Sequence, residues 1–500
     1  MMHYFVGIGI PITVTGVDKA MFNRLKLYQR HNTPAKIITT LYNHLEYGWC
    51  IDHQIQDDVI NMYSYFQKAL YTVSHHFDYY KYWCAQPSYD VQVLSNDTDV
   101  LINENGRMIM YARFLDASLQ KLDFINYFNA DVQFVKHEEY DYRGFLSSVS
   151  HYNSNKIVYQ EFLTPQGEKV IEKYYHDKEQ SAVPSAIFVK NHHGIFEQFA
   201  SEDALVTYFI EQLYKEGDQF IIDRPLEIVP PFINLRGKYP VAVMLHMKHL
   251  RENVHTEQLK WPYEKLFDHL GYFDALICST NAQKEDIERY IQHFKHVHIP
   301  VFNIPVGYIE QNPPLNINVK QPYQLISIAR YEQGKNLHHQ IELIYKLKPH
   351  FNEITLDLYG FGNEWDNLQQ LIDQYDANDY IRLRGYSNQL KNVYESATLS
   401  LITSHSEGFS LAILESLNHN TPVIAYDVPY GPNEIIQDDI NGNLIPYGNT
   451  SLLFDRVYQL LNDINKRNRF YSACTLSVQQ YRSSEIWNRW QLLHEQLRNL

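Results

Sequence analysis

Two glutamates, Glu407 and Glu415, lie eight residues apart in the segment SHSEGFSLAILESLNHNTPVIAYDVPYGPNEIIQDDINGNLI. The apolar run Leu399 to Thr403 ends in the small polar turn Ser404 to Gly408 and reopens as an amphipathic segment, so Glu407 falls at a strand-to-helix turn. From a helix start near Ser410, Glu415 lies about one and a half turns in, at about 3.6 residues per turn. Both carboxylates can then face the crevice beyond the carboxyl ends of a parallel sheet, where such sheets bind ligands. The plain alternative is a solvated helix that carries glutamate near its positive end. Arg330 and Lys335 hold a comparable position: they follow the apolar strand Gln324 to Ala329, with Lys335 72 residues ahead of Glu407. Cations in such a loop would grip an anionic ligand, and otherwise they are ordinary surface charges.

Weaker signals accompany these. Gly16 stands between a first strand and a helix opening near Asp18, so its amide could face an anion at a helix N-terminus. Gly360 and Gly362, in LYGFGNE, would let backbone approach a ligand, or simply turn the chain. His246 ends the apolar strand VAVMLH and could orient a hydroxyl; His249 follows three residues on, and among 24 histidines most carry no chemistry. Asp97-Thr98-Asp99 has the spacing of a metal-binding pair but sits in a hairpin far from every other candidate. No metal site is therefore expected.

These residues need elements to position them. Residues 2 to about 85 begin an α/β domain with strand Tyr4 to Gly9, helix Asp18 to His31, strand Ala35 to Thr40 and a helical stretch near Asp57 to Leu70. From Tyr89 to Phe199 the chain becomes a series of short alternating segments, with two-residue turns at Asn105-Gly106 and Gln166-Gly167: an inserted antiparallel meander. The α/β pattern resumes at helix Asp203 to Tyr214, and a Pro- and Asn-rich linker spans Gln311 to Gln321. A second α/β domain follows, with strands at Gln324 to Ala329, Thr355 to Tyr359, Ile381 to Gly385, Leu399 to Thr403 and Pro422 to Tyr426, and a turn at Asn441-Gly442. A helix from Ile486 to Leu500 closes the chain, on the plain reading as a capping helix. The expected boundaries are 1–87 and 201–312 for the first α/β domain, 88–200 for the insert, 313–485 for the second α/β domain and 486–500 for the last helix.

Bulk properties narrow the class. With 500 residues and 45% hydrophobic content the chain can build several cores. A net charge of −15 without a basic cluster disfavours nucleic acid. Cys50, Cys84, Cys278 and Cys474 lack paired spacing and are expected to be reduced packing residues. The apolar start Tyr4 to Val17 lacks a basic flank and is short of the roughly 20 residues of a membrane span. A cytoplasmic protein is expected, with peripheral membrane association left open.

Taken in order, Ser404-x-x-Glu407-Gly408-Phe409, the Pro-Val-Ile strand, the Tyr-Gly-Pro loop and ISIARYEQGKN resemble the Glu-x7-Glu region and the Arg-x4-Lys element of family 4 retaining glycosyltransferases. The resemblance implies the GT-B fold, two Rossmann-like domains facing a cleft, here with the inserted β-meander, and a last helix, Ile486 to Leu500, that crosses back to the first domain. It implies that Arg330 and Lys335 hold the donor's diphosphate in place of a metal. Glu415 would accept from the ribose hydroxyls, and Glu407 from the transferred sugar while stabilising its cationic transition state. VMLHMKH is similar to a histidine element of such transferases, which makes His246 a catalytic candidate. The loop and helix start Ser406, Gly408, Phe409, Ser410 and Leu411, with Gly16, Gly360 and Gly362, complete the donor-binding candidates. Where the family often has two adjacent glycines, this chain has Thr15-Gly16.

The opening YFVGIGIPITVTGVDKAMFNRLKL, the meander, STNAQKEDIE and PVGY look most similar to transferases that place N-acetylglucosamine on Ser-Asp-repeat or serine-rich adhesins, which implies UDP-N-acetylglucosamine as donor and no cofactor. Related enzymes glycosylate poly(polyol-phosphate) teichoic acid, an anionic acceptor that the negative net charge leans against. Partner subunits of glycosylation complexes share the fold without the catalytic glutamates. The meander would bind an acceptor, mediate self-association or hold a partner subunit.

Overall fold

The computed structural model describes residues 1–74, 76–176, 183–251, 258–310 and 313–498, so the ends of the expected linker and of the last helix, 311–312 and 499–500, lie outside the described residues. The chain divides into two compact units, Met1–Val14 with Pro34–Tyr239, and Thr15–Thr33 with Pro240–Leu500.

In the first unit, β1 (His3–Val6), β2 (Ala35–Thr39) and β3 (Val59–Asn61) pair in parallel, and β14 (Gln219–Ile222) pairs with the other edge of β1. Every residue of β1 and β14 is buried, as strands covered on both faces require. Between β3 and β14 run ten antiparallel strands in sequential order, β4 (Tyr89–Val93) to β13 (Phe196–Phe199). Asn105 and Gly106 both have positive φ, 51° and 75°, at the first expected turn. The second differs: Thr164 N donates to Glu168 O at 2.8 Å, so the loop is longer than two residues and only Gly167 takes positive φ, 82°. The expected helix from Asp57 to Leu70 is also corrected. Val59 and Ile60 join the sheet, and only Met62–Phe66 is helical, because the Asn61 side chain accepts from Tyr63 N and Ser64 N and starts a helix there. Trp83, on the helix Tyr79–Cys84, packs with Val100, Ile102, Ala112 and Phe114 over one face of the meander.

The second unit holds the strands that matter for the candidate residues. β15 (Val241–Met244), β16 (Ala275–Cys278) and β17 (Val301–Asn303) form one parallel set. β18 (Gln324–Ile328), β19 (Thr355–Tyr359), β20 (Ile381–Gly385), β21 (Leu399–Ile402), β22 (Val423–Asp427) and β23 (Gly442–Pro446) form a parallel sheet in the order β20-β19-β18-β21-β22-β23. The order reverses between β18 and β21, the kind of switch point at whose carboxyl end open parallel sheets bind ligands, and the loops leaving these two strands are tied together there, His405 N donating to Gly334 O at 2.8 Å. Arg330 and Lys335 are in the first loop and Glu407 is in the second. Gly442 is not the expected turn residue but the first residue of β23. It pairs with Val423, whose carbonyl oxygen would lie 2.1 Å from a Cβ placed there. The helix Ser483–Arg498 packs on the helix Gly16–Arg30: Tyr28 meets the Trp487 ring edge-on at 5.1 Å and shares a 2.6 Å hydrogen bond with His494 Nε2.

Cys50, Cys278 and Cys474 are buried, whereas Cys84 is exposed at the end of its helix and does not pack as expected. Among the described residues no helix is long and apolar enough to cross a membrane.

Candidate active site

The crevice side of the sheet joins Lys335 to Glu407. A short 3-10 turn, Gln333–Lys335, follows β18, and Lys335 Nζ donates to Glu407 Oε1 at 2.7 Å. Ser404 Oγ donates to the same oxygen at 2.6 Å. Both side chains of the ion pair are largely buried, 18% and 14% exposed, so the attraction is less screened than between surface charges. With both donors on Oε1, Oε2 is the oxygen left for a ligand among the described residues.

The backbone under Glu407 is clasped from the Tyr-Gly-Pro loop. Glu407 N donates to Pro429 O at 3.1 Å, and Tyr430 N donates back to Glu407 O at 2.8 Å. Gly431 closes this contact, since a Cβ there would lie 1.7 Å from Phe409 O. Gly408 is constrained on another side: a Cβ would stand 2.0 Å from the His246 carbonyl oxygen, so the loop after β15 lies directly on the loop that carries Glu407. His246 is half-buried, two residues beyond the end of β15. His249 has another fate. It is fully buried, stacked at 5.9 Å on Phe267, and burial holds its pKa down at about 4, so it is a neutral core ring.

Ser410, with φ of 71°, opens the helix Leu411–Asn418. Phe409 is buried edge-on against Tyr481 at 5.5 Å, and Leu411 packs where Gly307 leaves room. Their side chains are therefore committed to packing, and a ligand at this helix start would meet the backbone and the half-buried Ser406.

Glu415 is the fifth residue of that helix and has its own partners. Tyr394 OH donates to Glu415 Oε2 at 3.0 Å, and the Lys19 ammonium pairs with Oε1. Lys19 follows Gly16, the first residue of its helix, by one turn, so this contact places the Gly16 helix start beside the helix of Glu415. The Thr15 hydroxyl and backbone N–H both donate to Asp18 Oδ2, at 2.6 and 2.9 Å, which caps the helix. A Cβ on Gly16 would meet nothing within 4 Å, so space is open there.

Arg330 stands apart from this cluster. Its Nη1 pairs with Glu332 Oε1 at 2.5 Å and its side chain is half-exposed. Gly360 and Gly362 do permit close backbone approach, but to the chain itself: a Cβ on either would clash with Ala329 O or Tyr331 O, at 1.8 and 2.2 Å. They let the loop after β19 lie against the loop that carries Arg330.

Asp99 is fully engaged within the meander. Arg113 Nε and Nη2 donate to its two oxygens at 2.9 and 3.1 Å, and Tyr111 OH also donates to Oδ2. These bonds, the guanidinium's first, hold its pKa well below the usual carboxylate range. Lys19, Tyr394 and Ser404 were not among the sequence candidates. The one-turn spacing from Gly16 to Lys19 and the Ser-x-x-Glu pattern are local signals that point to two of them. Tyr394 reaches Glu415 from another helix and has no local signal.

Residues 309–475 match the family model for glycosyl transferases group 1. A UDP-N-acetylglucosamine–peptide N-acetylglucosaminyltransferase GtfA subunit of Streptococcus agalactiae is 26% identical over 89% of this chain and 88% of its own length. The poly(glycerol-phosphate) alpha-glucosyltransferase of Bacillus subtilis is 24% identical over 98% of this chain and 74% of its length. The crystal structure of pneumococcal O-GlcNAc transferase GtfA in complex with UDP and GlcNAc superposes with a TM-score of 0.87 at 21% identity, covering 99% of each chain. A mutant of Staphylococcus aureus TarM gives 0.84, also at 21% identity and 99% coverage of each. The chain is thus related to glycosyltransferases over nearly its full length. It has their GT-B fold class, with parallel Rossmann-like sheets and an antiparallel ten-stranded insert.

Proposed function

We propose that this chain, which carries a group 1 glycosyl transferase domain, moves N-acetylglucosamine from UDP-N-acetylglucosamine to serine or threonine hydroxyls of a Ser-Asp-repeat or serine-rich surface protein. Configuration at C1 is retained and no metal is needed. The observation that carries this reading is the Lys335–Glu407–Ser404 cluster at the switch point between β18 and β21, where an open parallel sheet receives its ligand.

The chemistry follows from what each group can do. As the C1–oxygen bond to the diphosphate breaks, negative charge grows on the leaving oxygen and positive charge on the sugar ring. Lys335, joined by Arg330 when that exposed side chain leaves Glu332, neutralises the diphosphate. Glu407 accepts from the sugar hydroxyls through Oε2 and stabilises the cationic ring, while Lys335 and Ser404 fix its orientation through Oε1. Glu415 accepts from the ribose hydroxyls. The acceptor hydroxyl bonds to C1 on the face the diphosphate leaves, its proton passes to the departing phosphate oxygen, and His246 orients a sugar hydroxyl beside Gly408. In this account two lysine and arginine charges take the place of a metal, and the Asp97-Thr98-Asp99 pattern has no part, since Arg113 and Tyr111 occupy Asp99.

The ten-stranded insert is assigned to the acceptor or to a partner: a related subunit, as in the GtfA/B complex of relatives, or a second copy of this chain. The second reading, transfer to a teichoic polyol-phosphate polymer, is favoured by relatives of that activity that match over 98% and 96% of this chain. A panel of UDP-sugars crossed with Ser-Asp-repeat peptide and teichoic polymer, read by mass spectrometry, tests both. A mass gain of one N-acetylhexosamine on the peptide alone is expected. A gain on the polymer alone would establish the second reading, and no gain on either from any UDP-sugar would refute transfer.

A further inference from the structure

The two oxygens of Glu415 are held in contrasting ways. Oε2 takes the hydroxyl of Tyr394, a fully buried residue on the helix Lys391–Ser396. Tyr394 is itself braced. Its carbonyl accepts from Thr421 Oγ1 and, at 3.4 Å, from Lys320 Nζ. Its ring stacks on His419 at 5.6 Å with a 15° interplanar angle. His419 Nδ1 in turn lies 2.8 Å from the Glu415 carbonyl. Burial first, and then the Glu415 charge, push the phenol's pKa well above its usual value, so it stays a donor across the working pH range.

Oε1 takes the Lys19 ammonium, at the end of a flexible stem whose side chain is 43% exposed. A half-exposed lysine paired with a carboxylate that is itself 24% exposed is partly screened by solvent and contributes little net stability, so a ligand can replace the ammonium at small cost. A buried tyrosine fixed at both ends cannot be replaced that way.

We propose that Lys19 is a displaceable latch on Glu415: it occupies Oε1 in the unliganded protein and yields that oxygen to the ribose diol of the nucleotide, while Tyr394 stays on Oε2 and keeps the carboxylate aimed. This rests on the reading of Glu415 as the ribose anchor. Because Lys19 lies one turn from the open Gly16 helix start, its released ammonium can turn to a diphosphate. A nucleoside without phosphates then meets the cost of opening the latch with no return contact. A nucleoside diphosphate regains a charge pair.

The test compares uridine and UDP as ligands of the full chain by ligand-observed NMR titration, in wild type, Lys19→Met, Tyr394→Phe and Lys19→Met with Glu415→Ala. Lys19→Met is expected to bind uridine about two- to fivefold more tightly, the scale of one exposed ion pair, and to lower the ratio of UDP to uridine affinity. Tyr394→Phe is expected to weaken both ligands about fivefold or more, as loss of one buried hydrogen bond implies, with its circular dichroism unchanged. Uridine binding to Lys19→Met that is no tighter than wild type, while Glu415→Ala in the Lys19→Met background still loses affinity, overturns the latch alone. If Glu415→Ala in that background leaves uridine affinity unchanged, the ribose-anchor reading fails and the latch with it.

Discussion

Glu407 in the second unit and Asp99 in the meander both occur in short patterns that sugar transferases use, and both are bound by a cation. Asp99 and Arg113 are directly opposed across two antiparallel strands, so the ladder itself sets the pair. Both Asp99 oxygens are filled, by Arg113 and Tyr111. Glu407 and Lys335 instead come from loops at the carboxyl ends of two strands where the sheet order reverses, and their bond uses one carboxylate oxygen. The first pair ties a sheet together; the second stands where a ligand can join it. Position relative to strand ends, more than motif spacing, separates a candidate site from a structural ion pair.

The comparison can be broken most severely at Lys335. Lys335→Ala removes the cation from the crevice and leaves a largely buried carboxylate without it, so transfer should fall by about 100- to 1000-fold. Near-wild-type turnover in an initial-rate assay on a folded variant would place the essential charge elsewhere. Next comes a pair of glycines. Gly408→Ala drives a Cβ onto the His246 carbonyl and should destabilise the protein by about 1–3 kcal/mol, whereas Gly16→Ala meets open space and should change thermal stability by less than about 0.5 kcal/mol. Denaturant melts of the two variants check this directly. Asp99→Asn should lower stability by about 1 kcal/mol or less, because Arg113 is 45% exposed and the pair is partly screened by solvent. The same melts measure it.

The smallest effect concerns pH. Glu46 is fully buried in the first unit, where it accepts from Ile10 N at 2.7 Å and Thr39 Oγ1 at 3.0 Å, and burial lifts its pKa to about 7. The folded value lies above the unfolded one, so its contribution is full below about pH 4.5 and is lost as pH rises through about 7. Unfolding free energies at pH 5 and pH 8 should differ less in Glu46→Gln than in wild type. An equal difference would remove Glu46 as the cause.

What was legible in the sequence follows the range of the forces involved. Strands Thr355–Tyr359 and Ile381–Gly385 were readable to the residue because short apolar runs bounded by polar turns carry their own signal. Glu407 and Lys335 stand out as candidates for the same reason, since each lies in the loop that follows such a run, whereas Glu415 is reached by counting turns of the helix Leu411–Asn418. The helix Pro225–Leu235 was not, since Pro230 and Pro231 interrupt its hydrogen bonds and it is held by burying Ile228, Val229, Phe232 and Leu235. The Asp57 to Leu70 stretch misled because the partner that makes a strand of Val59 and Ile60, β2, is distant in sequence. Arg330 was expected beside Lys335 but is paired with Glu332 two residues on, a local choice among rotamers that spacing does not encode. Tyr394 was missed because its role depends on a contact between two helices.

The central claim is most directly tested by one transfer assay run in chelator, with UDP-N-acetylglucosamine and Ser-Asp-repeat peptide, on wild type, Glu407→Gln and Asp99→Asn side by side. The account predicts full wild-type activity without metal, a loss of about 100-fold or more in Glu407→Gln, and Asp99→Asn within about twofold of wild type. Wild-type activity that vanishes in chelator and returns with magnesium or manganese, together with an Asp99→Asn protein that fails where Glu407→Gln succeeds, would contradict it.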